Sequence, residues 1–154
     1  MLIDDSPDKQ LSQIREAAIR LLARREHSQQ ELLRKLLQKG FAAQLCETAL
    51  ADLQAQGYQS DLRFAQMFIR SRAAKFYGPG RITDELRQHQ VVSSDSQKAM
   101  QEADIDWFEL CKDALLRKFR SGTSDDWQVR QKQKRYLWQR GFSEDQIQYA
   151  LNPD

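Results

Sequence analysis

Two histidines, two cysteines and one cluster of carboxylates are the side chains with which chemistry would begin in this chain. Cys46 and Cys111 lie far apart, with no CxxC spacing and no histidine beside them, so neither a zinc site nor a redox pair is expected; both read as core thiols of a reducing compartment. His27 and His89 each fall near a helix end, where a solvated or capping role outweighs a catalytic one. Asp104, Asp106 and Glu109 straddle a helix start, where carboxylates suit the positive end of the helix dipole. Gly78-Pro79-Gly80-Arg81 has the composition of a phosphate loop. It lacks the GxxxxGK[ST] spacing, however, and its proline removes an N–H donor, so a helix–helix turn is the expected role. No nucleophile–base pair, metal-ligand set or cofactor cradle emerges, and the chain is read as non-enzymatic, with no cofactor and no metal.

Binding chemistry is better represented. The central stretch from Gly57 to Val91 carries Arg63, Arg70, Arg72, Lys75, Arg81 and Arg87 against three acidic residues. Arg63 and Arg70, seven residues apart, point away from the apolar stripe of their helix. Arg72 falls inside that stripe and needs a partner such as Asp84 or Glu85, because an unpaired buried charge is costly. Arg81 opens the next helix at a dipole end that disfavours cations, a placement that singles it out for use in binding. A second basic block, between Asp126 and Arg140, holds Arg130, Lys132, Lys134 and Arg135. There Trp127, Arg130, Lys134 and Trp138 are expected to share one face, a pattern able to grip phosphates or a stacked base. Against that, Trp138 aligns with Leu37, expected to be a core position, and a solvated face explains the charges equally well. The residues expected to contact a partner, whether protein or DNA, are therefore Arg63, Arg70, Lys75, Arg81, Arg130, Lys132, Lys134 and Arg135.

The elements that must position these residues repeat. Leu36, Leu86 and Leu137 each stand five residues before Phe41, Val91 and Phe142, and Ala49-Leu50, Ala99-Met100 and Ala150-Leu151 follow at the same offset. Gly40 and Gly141 hold the turn in the first and third copies, while Gln90 replaces glycine in the second and predicts a looser or longer turn there. Apolar residues recur three and four apart throughout, and no period-two alternation marks a strand. Ser28 to Glu31 and Ser143 to Gln146 have capping-box spacing, with Ser94 to Gln97 the middle equivalent. Ala65, Phe68, Ile69 and Phe76 are expected to stripe the fourth helix. The predicted fold is all-α: three tandem three-helix repeats, 11–57, 58–104 and 105–154, behind a disordered tail, 1–10, forming an elongated, curved body. Neighbouring repeats are expected to share core, since one unit alone buries little surface.

Charge follows the repeats. The apolar fraction is 40% and the net charge only +2, but Lys and Arg against Asp and Glu run 8 to 8 over residues 1–56, 6 to 3 over 57–90, 2 to 6 over 91–116, 8 to 2 over 117–140 and 0 to 3 over 141–154. Such alternation suits an extended charged surface better than a uniformly basic nucleic-acid binder. Neither a signal peptide nor a run of roughly 20 apolar residues is present, so the expected location is the cytoplasm.

The order Gly57-Tyr58, Asp61, Arg63-Phe64-Ala65, Phe68-Ile69, Ser71-Arg72, Gly78-Pro79, Arg81-Ile82, Glu85-Leu86 resembles the RecX family of bacterial regulators of RecA-type recombinases. Ala23, Arg24-Arg25-Glu26-His27-Ser28, Glu31-Leu32, Lys35-Leu36 and Arg140-Gly141-Phe142 with Ile147 extend the resemblance over nearly the whole chain. Gln59-Ser60 departs from the family's usual leucine followed by Asp or Asn, and His89-Gln90 from its usual Lys-Gly. A monomer is expected. Separately, the resemblance implies a non-enzymatic, all-helical protein. It would bind the recombinase filament on single-stranded DNA, lower its ATPase, strand-exchange and coprotease activities, and touch DNA weakly and without sequence preference. The alternative of a different class is a helix-turn-helix-like DNA-binding repressor.

Overall fold

The computed structural model describes residues 6–152 and, among them, nine helices and no strand. They run α1 Pro7–Leu22, α2 Gln29–Gln38, α3 Ala43–Ala55, α4 Asp61–Ala74, α5 Pro79–Gln88, α6 Ser93–Ala103, α7 Trp107–Lys118, α8 Trp127–Gln139 and α9 Glu144–Leu151. In each set of three, the first and third helices pack most closely (α1 on α3, α4 on α6, α7 on α9), and the second lies less enclosed.

The repeat read from the sequence is the repeat of the core. Leu36, Leu86 and Leu137 are buried, as are Phe41, Val91 and Phe142, and Ala49, Ala99 and Ala150. The cores themselves are separate: one around Ile14, Leu32, Leu36 and Leu53, one around Phe64, Ile69, Ile82 and Leu86, and one around Cys111, Leu115, Leu137 and Ile147. The expected sharing is confined to a few residues that cross, Phe76 onto the third core and Ile105 and Trp107 back onto the second. Cys46 and Cys111 are buried free thiols, and burial pushes the Cys111 thiol up to about 12.

The helix ends explain the local boundaries. Ser28–Glu31 and Ser143–Gln146 form reciprocal capping boxes. The middle equivalent does not: Val92 is the N-cap of α6, and Ser94 lies inside the helix. Gly40, Gln90 and Gly141 all have positive φ, 94°, 60° and 100°. Their amides donate to Leu37, Arg87 and Trp138, while the next residues donate to Leu36, Leu86 and Leu137, which is the Schellman arrangement in all three copies. The central turn is therefore neither looser nor longer. Gln90 bears the left-handed conformation at about 1–2 kcal/mol, tolerable because its side chain points into solvent. Part of the expected tail, 1–10, is helical instead. Pro7 begins α1, and the buried Gln10 accepts the Ala42 amide at the head of α3; residues 1–5 lie outside the described range.

Phe76 departs from the predicted stripe for a comparable reason. Helix α4 ends at Ala74, and Phe76, at φ 64°, turns its ring out of the second unit and onto the third core, under Arg117.

The joint between units one and two is polar. Asp61 Oδ1 accepts the Gln29 amide at the head of α2, the buried Gln59 Nε2 donates to the His27 carbonyl, and Arg63 pairs with Glu26 at 2.8 Å. His27 itself is buried rather than solvated. Its Nδ1 lies 3.0 Å from the Arg25 carbonyl and its Nε2 lies 2.9 Å from Lys35 Nζ, so the neutral ring donates at Nδ1 and accepts at Nε2. Burial, reinforced by the charges of Arg25 and Lys35 and opposed by Glu31 and the Arg25 carbonyl, holds its pKa below the ordinary 6.5. A depressed folded-state pKa means the unfolded chain binds the extra proton first. Stability is thus complete above about pH 6.5 and falls as pH drops toward the folded value, with a slope of at most about 1.4 kcal/mol per pH unit. Urea unfolding between pH 8 and 5 is expected to show this slope and His27→Asn to flatten it; equal slopes in both proteins would exclude the ring as its source.

Candidate interaction surface

The joint between units two and three is built by backbone contact. Gly78, N-cap of α5, donates its amide to the Arg140 carbonyl at 2.7 Å, and Gly80 donates to the Gly141 carbonyl at 3.0 Å. The open N–H groups of α5 thus meet the open carbonyls at the end of α8, positive dipole end against negative. These amides are occupied, which removes the phosphate-cradle reading for a physical reason stronger than the sequence spacing. Contact this close requires glycine on both sides. A Cβ on Gly78 would lie 2.5 Å from the Gly141 carbonyl carbon, and one on Gly141 would lie 2.4 Å from Arg81 Cβ.

Around this contact three guanidinium groups gather on the ring of Tyr77: Arg140 at 3.8 Å from its centroid, Arg81 at 4.3 Å and Arg72 at 5.7 Å. Arg140 also donates to the Phe76 and Lys75 carbonyls, tying α8 to the end of α4. Arg72 pairs with Glu85 at 3.2 Å, so of its two expected partners the structure selects Glu85, while Asp84 pairs with Arg87. Arg81 reaches the Gln139 carbonyl at 3.4 Å. The dipole end it answers is therefore that of α8, which favours a cation, and its placement is a structural contact as well as an exposed charge. Beside it an open cleft of about 470 Å³ is lined by Pro79, Arg81, Asp84, Trp138 and Gln139.

Helix α8 forms the other half of this surface. Leu137 and Gln133 face inward, and Gln133 donates to the Gly122 carbonyl. Trp127 and Trp138 are exposed, 71% and 63%, roughly 16 Å apart along the helix at 1.5 Å per residue. The alignment of Trp138 with Leu37 holds, but the expected core position does not: Leu37 is 41% exposed, because the helical face it occupies turns away from its own unit. Lys132 and Arg135 are exposed on the same outer side. Arg130 leaves the expected face. It bonds the Ser124 and Leu151 carbonyls and Asn152, closing the end of α9, and Lys134 pairs with Glu144 at 3.3 Å.

Three family models match the chain in order: the first three-helix domain of RecX over residues 15–53, the second over 60–100 and the third over 104–151. This chain belongs to the RecX family. The regulatory protein RecX of Vibrio vulnificus (strain CMCP6) is 41% identical over 140 residues, 91% of this chain and 92% of that relative. The regulatory protein RecX of Pseudomonas putida (strain GB-1) is 42% identical over 139 residues, 90% and 89% of the two chains. Two RecX crystal structures share the fold. One, a regulatory protein RecX, has a TM-score of 0.80 at 22% identity, covering 96% of this chain and 74% of that one. The other, from Lactobacillus salivarius, has a TM-score of 0.74 at 17% identity, with coverage of 95% and 97%. The named relatives place the chain among RecX regulatory proteins.

Within the RecX units the residues singled out from sequence separate into groups. Arg63 serves the first joint, through Glu26 and the Gly57 carbonyl. Arg70 and Lys75 stand exposed on the second unit, and Arg81 lines the cleft. Lys132 and Arg135 lie with Trp127 and Trp138 on the outer side of α8, while Arg130 and Lys134 are held by their own unit. The structure thus brings Arg81 and Trp138 together at one cleft. Asp61 and Arg140 are legible in the sequence as residues of the family resemblance but not as joint residues, and Tyr77 is not legible at all. Their roles depend on contacts across units, which no spacing within a helix reveals. Among the described residues no group of three or more His, Cys, Asp or Glu side chains could hold a metal, and no helix is long and apolar enough to cross a membrane.

Proposed function

We propose that this chain binds the RecA-type recombinase filament on single-stranded DNA and inhibits its ATPase, strand-exchange and coprotease activities, so modulating recombination, DNA repair and the SOS response. The observation that carries the reading is the tandem match to all three RecX domains. The physical arrangement is compatible with it. A row of units with separate cores and block-wise charge suits contact with several subunits of a helical partner. The chain acts as a monomer in the cytoplasm, by protein contact, with DNA contact weak and sequence-blind.

The expected result is inhibition of recombinase ATPase on single-stranded DNA by less than one chain per recombinase subunit. No inhibition even with excess protein would end the proposal. Tight, sequence-dependent binding to duplex DNA without recombinase, each wrong base costing about 1–3 kcal/mol, would replace it with the repressor reading.

A further inference from the structure

We propose that the second helices of the two outer units, α2 and α8, carry equivalent anchors for one repeating protein partner, and that α5 between them is a spacer without an anchor. This rests on the filament reading above and adds to it the surface and the chemistry of what it meets.

The observation is a four-residue face that recurs in the outer units. On α2 it consists of Gln30, Arg34, Leu37 and Gln38; on α8, at the same register from the buried Leu36 and Leu137, it consists of Gln131, Arg135, Trp138 and Gln139. The spacing i, i+4, i+7, i+8 puts all four on one side of a helix. Glutamine, arginine and glutamine are the same in both, and the remaining position is a large apolar side chain left in water, 41% exposed for Leu37 and 63% for Trp138. Neither exposed side chain helps its own unit's core. On α2 the face lines an open groove of about 420 Å³, completed by Leu33; on α8, Trp138 and Gln139 line the cleft beside Arg81. The corresponding positions of α5 hold Gly80, Asp84, Arg87 and Gln88. There Asp84 stands at the arginine position and Arg87 at the apolar one, and the two pair with each other at 3.0 Å.

The pairing of an exposed apolar side chain with a free-standing guanidinium sets the partner's chemistry: an apolar pocket beside a carboxylate, which arginine grips as a fork. Leucine at the site of tryptophan excludes base stacking as the shared interaction, so a protein surface fits both anchors and a nucleic acid fits only one. Two copies of one anchor on a single chain call for a partner that presents the pocket at least twice, an assembly of identical subunits.

The test is fluorescence anisotropy of the labelled chain titrated with recombinase filament on single-stranded DNA, and separately with single-stranded DNA alone. Arg34→Glu, Leu37→Ala, Arg135→Glu and Trp138→Ala are each expected to weaken filament binding by about 10²-fold or more, because removing one anchor turns two-point attachment into one-point attachment. Arg87→Ala is expected to stay within about 2-fold of the parent. All five positions are exposed, so unchanged circular dichroism and thermal unfolding accompany these results. Outer-unit variants within about 2-fold of the parent, or an equal loss in Arg87→Ala, would overturn the anchors while leaving filament binding intact. So would a loss on DNA alone that follows Trp138→Ala and not Leu37→Ala, by making nucleic acid the occupant. A parent chain that does not bind filament at all overturns the functional reading and this proposal with it.

Discussion

Gly141→Ala is expected to destabilise the chain by about 2–5 kcal/mol. Two effects add. Gly141 sits at φ 100°, where an L side chain costs about 1–2 kcal/mol, and its new Cβ would lie 2.4 Å from Arg81 Cβ and 2.6 Å from the Arg81 amide, an overpacking worth about 1–3 kcal/mol more. The neighbour in question is backbone at the start of α5, so relief requires the two units to move apart. Doing so would break the Gly78 and Gly80 amide bonds to α8. Gly57→Ala supplies the internal comparison: φ is 82°, but nothing lies within 4 Å of its Cβ, so only the backbone effect of about 1–2 kcal/mol remains. Urea unfolding of the two variants measures the difference. Equal losses would mean that the close contact between α5 and α8 carries no strain-sensitive packing.

Glu85→Gln is expected to destabilise by about 1–3 kcal/mol and to recover part of that in high salt. Glu85 is the carboxylate paired with Arg72, whose guanidinium shares the Tyr77 ring with Arg81 and Arg140. The substitution keeps the shape and leaves three cations around one ring without that counter-charge. Breaking a fully buried pair costs about 3–5 kcal/mol; here both side chains keep some solvent, 30% and 21% exposed, which lowers the figure. Repulsion among partly exposed cations is screened by salt, so urea titrations at low and high ionic strength separate charge from packing. A loss that does not change with salt would assign the effect to the hydrogen bond alone.

These two variants mark the boundary between what can be read along the chain and what cannot. The sequence narrows the partner of Arg72 to Asp84 or Glu85, because a cation in an apolar stripe must be neutralised and both carboxylates fall within reach. The choice between them turned on the rotation of α5, which points Asp84 toward Arg87 and Glu85 toward α4. Gly141 was legible as a turn, since its copy Gly40 stands at the same offset. Its contact with Arg81 was not, because two residues sixty positions apart reveal nothing of their approach until the units are docked. In the sequence Arg81 is a charge at a disfavoured helix end and Trp138 an aromatic on a basic helix; the cleft that joins them belongs to neither helix alone.

Legible along the sequence are the three helices of each unit, the period near fifty residues, the buried positions that recur with it, and the caps at Ser28 and Ser143. All of these follow from interactions within about eight residues or from one apolar stripe per helix, and local spacing encodes both. Only the tertiary structure decided that the cores stay separate, that Phe76 crosses from one unit to the next, that Gln90 takes the glycine conformation, and that Leu37 and Trp138 face water. Each depends on which side of a helix another unit covers. That is set by contacts between residues far apart in the chain, whose free energies a helical pattern does not contain.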